Sequence, residues 1–134
     1  MERKEIISTA RGWLGTKFHH QGRVKGVGVD CIGLIVGVAA ELGIKLPDKQ
    51  TYARQPDISE LEDALENQFE KCALQAGAIA LFSIDGRAQH VGIITDYAGL
   101  GVIHAYIQAH KVVEHVLDEE WQKRLISCYS FSTS

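Results

Sequence analysis

Apolar residues recur at helical spacing near the start of the chain, at Ile6, Ala10, Trp13 and Leu14, and Gly12 and Gly15 mark where that helix loosens and stops. Residues 15–29 are punctuated by glycine and read as a loop. From Cys31 to Leu42 nearly every position is apolar, the pattern of a helix buried on most sides, with Asp30 as its N-cap and Gly43 at its C-cap. The stretch from Pro47 to Pro56 reads as an ordered loop separating two patterns. Beyond it, Ile58, Leu61, Leu65 and Phe69 fall on one face of a third helix. Ser59 and Glu62 are spaced as a capping box, and Glu60, Glu62, Asp63 and Glu66 form a solvated face.

After Gly77 the pattern shortens to β-type runs: Ala78 to Ile84, Gln89 to Thr95, Val102 to Ile107, Lys111 to Val116 and Ile126 to Phe131. Asp85-Gly86 and the segment from Asp96 to Gly101 supply turn chemistry, and Glu119 to Leu125 adds a short helix. Helices followed by a strand meander predict an α+β domain, with N-terminal helices packed on a five- to six-stranded antiparallel sheet. At 134 residues the chain is expected to form one domain, 1–134.

Composition narrows the function. The chain is 46% hydrophobic and 23% charged, an ordinary globular balance. A net charge of −3 lacks the basic footprint of a nucleic-acid binder. The longest apolar stretch, Cys31 to Ala40, is ten residues, against roughly twenty needed to span a bilayer. The first residues, Met1 to Ser8, lack the basic region and apolar core of a secretory signal, so the expected location is the cytoplasm as synthesised. Three widely spaced cysteines without a CxxC pair argue against a disulfide framework and a zinc ribbon, and leave at least one free thiol.

Cys31 sits at the predicted first turn of a helix, where unsatisfied N–H groups and the helix dipole favour a thiolate and would hold an oxyanion. The plainer reading of a single cysteine is a small buried hydrophobe. Alternation puts His90 on the strand face opposite Val91 and Ile93, and aims His104 with Val102 and Tyr106. The turn between those strands makes them hairpin neighbours, so His90 and His104 are expected nearly adjacent. A helix-cap cysteine, a histidine base and a second group to orient it is the logic of a cysteine hydrolase or acyl transferase. A Cys/His/His zinc site competes, although the short ligand pairs usual for structural zinc are absent. His19 and His20 precede Cys31 in the glycine-punctuated loop, either at the mouth of a site or simply in solvent. His110 and His115 flank a turn and a strand edge and receive no role. Cys72 and Cys128 read as structural.

Asp30-Cys31-Ile32-Gly33-Leu34 resembles the nucleophile motif of the NlpC family of cell-wall cysteine peptidases, His90-Val91-Gly92-Ile93 its base motif, and Ile103-His104-Ala105 its third catalytic position, all in the family's order. Trp13 to Phe18 resembles the segment preceding the nucleophile. His20-Gln21-Gly22-Arg23 followed by Gly28-Val29-Asp30-Cys31 is similar to the branch carried by phages and prophages as tail-associated wall peptidases. The resemblance implies a compact papain-like fold and a peptidoglycan stem peptide as substrate, cut between D-γ-glutamate and a diamino acid. It implies Cys31 as nucleophile, His90 as base and His104 as orienter, with Asp30 at the helix cap beside the oxyanion site. No metal and no organic cofactor are implied. Where many members carry Pro-Tyr, this chain has Lys17-Phe18, which removes a tyrosine hydroxyl; Phe18, His20 and Gln21 are the expected substrate contacts. Phage tail proteins are the implied partners, with delivery to the wall by a virion. The other readings are a catalytically silent tail or assembly module, and an amidase or acyl transferase on a non-wall substrate.

Overall fold

The computed structural model of the chain describes residues 2–46, 58–84 and 87–131. The Pro47 to Pro56 loop, the Asp85-Gly86 turn and the side chain of Ser59, with its capping box, lie outside the described set. Helix α1, Arg3–Arg11, buries Ile6, Ile7 and Ala10 and ends at Gly12. Because the helix stops there, Trp13 still turns into the core at 3% exposure whereas Leu14, expected on the same face, is 42% exposed. The glycine-punctuated segment, read as loop, contains a miniature hairpin of β1, Arg23–Val24, and β2, Gly28–Val29. Two-residue strands are too short to show any alternation.

Helix α2, Cys31–Glu41, is the central helix, with Leu34, Ile35, Val38 and Ala39 buried. Trp13 packs so closely on it that a Cβ at Gly37 would lie 2.2 Å from the indole ring, which is why a glycine stands there. Helix α3, Ile58–Gln68, buries Leu61 and Leu65, with Phe69 just beyond it.

Six antiparallel strands follow: β3, Glu70–Cys72; β4, Ile79–Ile84; β5, Arg87–Thr95; β6, Gly101–Tyr106; β7, Lys111–Val116; and β8, Leu125–Ser130. Their order across the sheet is β3-β8-β4-β5-β6-β7. Strand alternation sorts the side chains into two layers. Ile79, Leu81, Val91, Ile93, Ile103, Ala105, Tyr129 and Phe131 join α1, α2 and α3 in the larger core. Ala80, Phe82, Ile94, Val102 and Cys128 face the other way and are covered by Trp121 of α4, Glu119–Arg124. The α+β architecture with N-terminal helices on an antiparallel sheet matches the pattern reading. That reading missed the second apolar layer and β3, whose three residues carry no periodic signal.

Candidate active site

A glycine-dependent close approach builds the floor of the site. Gly22 carries its carbonyl oxygen to within 2.2 Å of where a Cβ on Gly33 would lie, seating the loop before β1 on the first turn of α2. Asp30 fastens the same junction. One carboxylate oxygen accepts from the Gly33 N–H at 2.8 Å and pairs with Arg23 at 3.1 Å; the other accepts from the Gln21 N–H at 2.8 Å. Gln21 holds φ +62 in this clasp, a left-handed conformation rare for a side-chain-bearing residue. The half-buried Phe18, His20 and Gln21 are therefore fixed beside the N-terminus of α2, where Cys31 begins the helix. Asp30→Ala removes both a cap and the buried partner of Arg23, and is expected to destabilise the fold by about 2–3 kcal/mol in urea titration. Asp30→Asn, which can keep the cap, should fall between; an alanine variant within about 0.5 kcal/mol of wild type would remove this junction from the account of stability.

The sheet opens where α2 points at it. Ile94 donates its N–H to Ala78 on the β4 side, so by alternation the amides of Ile93 and Val91 face β6. The β5–β6 ladder, however, runs only from Thr95/Gly101 to Ile93/Ile103. The Val91 N–H beyond it faces the Cys31 thiol, and the N–H groups of Ile32 and of Cys31 itself are the other backbone dipoles acting on the sulfur. Sγ thus lies against the backbone one residue from His90. These donors favour a thiolate, but burial, with the nearby Asp30 charge, outweighs them and pushes the thiol up to about 12. The helix end expected to lower the thiol is present, and at the half-buried Cys31 desolvation works against it.

Register explains the histidines. With Ile93 opposite Ile103, His104 falls beside Gly92 and diagonal to His90, and a Cβ at Gly92 would lie 3.1 Å from that of His104. His90 Nε2 and His104 Nδ1 are 2.6 Å apart. His104 is fully buried, with Tyr106 stacked on it at 5.0 Å between centroids and Trp121 edge-on at 4.8 Å. Burial, helped by the Arg124 cation, lowers His90 to about 4; His104 is lowered too, by burial and by its two histidine neighbours. At neutral pH the site holds a neutral thiol and neutral imidazoles.

The second of those neighbours is His115, which received no role from the sequence. On β7 it stands opposite Val102, diagonal to His104, and its Nε2 lies 2.8 Å from His104 Nε2. The signal was present in the strand alternation, since His115 shares a face with Val113 and not with Val112. Reading it needed the register across the Ile107–Ala109 turn. His19 is exposed and His110 forms the left-handed residue after that turn. Cys72 and Cys128 are free thiols paired across β3 and β8, far along the sheet order from β5 and β6. Among the described residues no group of three His, Cys, Asp or Glu side chains is arranged to hold a metal ion, and no helix is long and apolar enough to cross a membrane.

The family model of the NlpC/P60 family matches residues 15–130, which takes in α2, the whole sheet and all the residues above. The chain belongs to the NlpC/P60 family. Solved structures agree on the fold of this NlpC/P60 chain. An NLP/P60 family protein from Bacillus cereus superposes with a TM-score of 0.73 at 19% identity, over 98% of this chain and 40% of that one. A lipoprotein-like NLP/P60 protein from Staphylococcus aureus gives 0.69 at 21%, over 98% and 42%. The NlpC/p60 domain of the peptidoglycan hydrolase SagA gives 0.65 at 19%, over 97% and 99%. The chain therefore spans about two fifths of the first two proteins and nearly all of the third domain. No curated protein sequence matches it.

Proposed function

We propose that this NlpC/P60 chain is a cysteine endopeptidase that cuts the peptidoglycan stem peptide between D-γ-glutamate and the diamino acid. The observation that carries the reading is the 2.6 Å pairing of His90 with His104 on neighbouring strands, with Cys31 at the N-terminus of the helix that packs on β5. His90 takes the thiol proton as Sγ attacks the carbonyl, and the first N–H groups of α2 donate to the developing oxyanion. Collapse forms a thioester and expels the amine, which receives that proton from His90. Water, deprotonated by His90, then cleaves the thioester and restores the thiol. His104 orients His90. Phe18, His20 and Gln21, clasped beside the helix end, contact the peptide. The motif from His20 to Cys31 supports placing the chain with the phage- and prophage-borne, tail-associated members.

The test is digestion of purified stem peptides carrying either common diamino acid, followed by mass spectrometry. Fragments separated between glutamate and the diamino acid are expected. Intact stem peptides alongside hydrolysis of simple acyl esters would replace this reading with a non-wall acyl transferase or amidase; no turnover of either would leave a silent module.

A further inference from the structure

The three histidine rings form one hydrogen-bonded row that ends on a backbone carbonyl: His115 Nδ1 lies 2.9 Å from the Val116 oxygen. A carbonyl only accepts, so that ring nitrogen carries the hydrogen. In neutral His115 the lone pair is then on Nε2, which accepts from His104 Nε2–H at 2.8 Å. His104 Nδ1 in turn accepts from His90 Nε2–H at 2.6 Å. The lone pair of His90 is left on Nδ1. We propose that His115 is a positioning residue that, through His104, keeps His90 in the tautomer whose Nδ1 is ready to take the thiol proton. The role in turnover rests on the hydrolase reading above; the order of hydrogens along the row does not.

Among the described residues no other group competes with the carbonyl for that direction. Trp121 of α4 packs on all three rings, at 5.9, 4.8 and 5.6 Å from His90, His104 and His115. Of the four charged residues of α4, Glu119, Glu120, Lys123 and Arg124, it is Arg124 that lies 4.7 Å over the Trp121 ring, paired to Glu120. Tyr106 on β6 stacks on His104. Glu114, next to His115 in sequence, is bound by Arg11 of α1. Among the described residues no carboxylate hydrogen-bonds any of the three rings.

The row has one reversed form. When His90 Nδ1 takes a proton, His90 passes its Nε2 hydrogen to His104 Nδ1, and His104 passes its own to His115 Nε2. The positive charge arrives on His115, the half-buried end, and His90 is left with a hydrogen on Nδ1. During turnover this moves charge out of the dry site.

Nitrogen-15 NMR of the imidazoles at neutral pH reads the order directly. His90 and His104 are expected to carry hydrogen on Nε2 and His115 on Nδ1; any other assignment overturns the proposal, whether or not the protein cuts peptidoglycan. For turnover, His115→Lys presents only donors to His104 and imposes the reversed order. Its kcat is expected to fall about a hundredfold or more with KM little changed. His115→Gln offers an acceptor to His104, so it should recover most of that loss. Equal kcat in the two variants would overturn the role. Should wild type cleave no stem peptide while NMR gives the expected hydrogens, the hydrolase reading fails and the ordered row stands.

Discussion

Cys31→Ala is expected to lower stem-peptide cleavage by at least about 10⁴-fold while unfolding at urea concentrations close to wild type, and His90→Ala to lower cleavage by a comparable factor. The size follows from the chemistry, because among the described residues no carboxylate hydrogen-bonds His104 or stands in for His90. The double variant should be no slower than either single one, since a nucleophile and its base act as a unit. A double variant that loses the product of the two factors would mean that the residues act in separate steps.

The same pair makes a distinctive labelling profile. With the thiol pushed up to about 12 and His90 lowered to about 4, the resting site holds no thiolate–imidazolium pair. Iodoacetamide labelling of Cys31 is expected to be slow at pH 7 and to keep rising through pH 10. A plateau below pH 8 that disappears in His90→Ala would establish a preformed ion pair instead. In the neutral-pair picture the proton moves as the carbonyl is attacked, so the order of hydrogens on His90 bears directly on rate.

Most of the architecture is readable from periodicity, because the periodic segments are those whose burial is one-sided or complete. The apolar run after Asp30 is α2, and the alternation through Gln89 to Thr95 and Val102 to Ile107 is β5 and β6 to within one or two residues. What periodicity does not carry is which strand faces meet water. His90 and His104 lie opposite Val91 and Ile103 as alternation requires, yet their face is also buried, because Trp121 on a six-residue helix covers it. That unseen layer is the origin of the lowered histidines. The position of Cys31 at a helix cap is equally legible, while the desolvation that opposes its effect depends on tertiary packing that no local pattern carries. His115 escaped for a third reason. Its partner is fixed by a register that passes through a 3₁₀ turn, and turns of that kind leave no pattern in the sequence.

Burying neutral histidines makes the fold acid-sensitive in a defined window. In the unfolded chain a histidine binds its proton near about 6.5, whereas folded His90 does so only near about 4. Between those values the unfolded state holds a proton that the folded state lacks, so stability rises with pH and falls on acidification. The slope reaches about 1.4 kcal/mol per pH unit for one such ring, and the full passage removes about 3 kcal/mol on account of His90 alone. His104, lowered in the same direction, adds to it. Below about 4 the folded ring is itself protonated and the His90 contribution stops growing. Urea unfolding at pH 7, 6, 5 and 4.5 is expected to show this loss beginning well above the range where carboxylates titrate. His90→Gln and His104→Gln remove the titrating rings and should each flatten the curve between pH 6.5 and 4.5. Curves parallel to wild type would mean that the two rings take up protons in the folded state as readily as in the unfolded one, and the dry layer beneath Trp121 would have to be open to water.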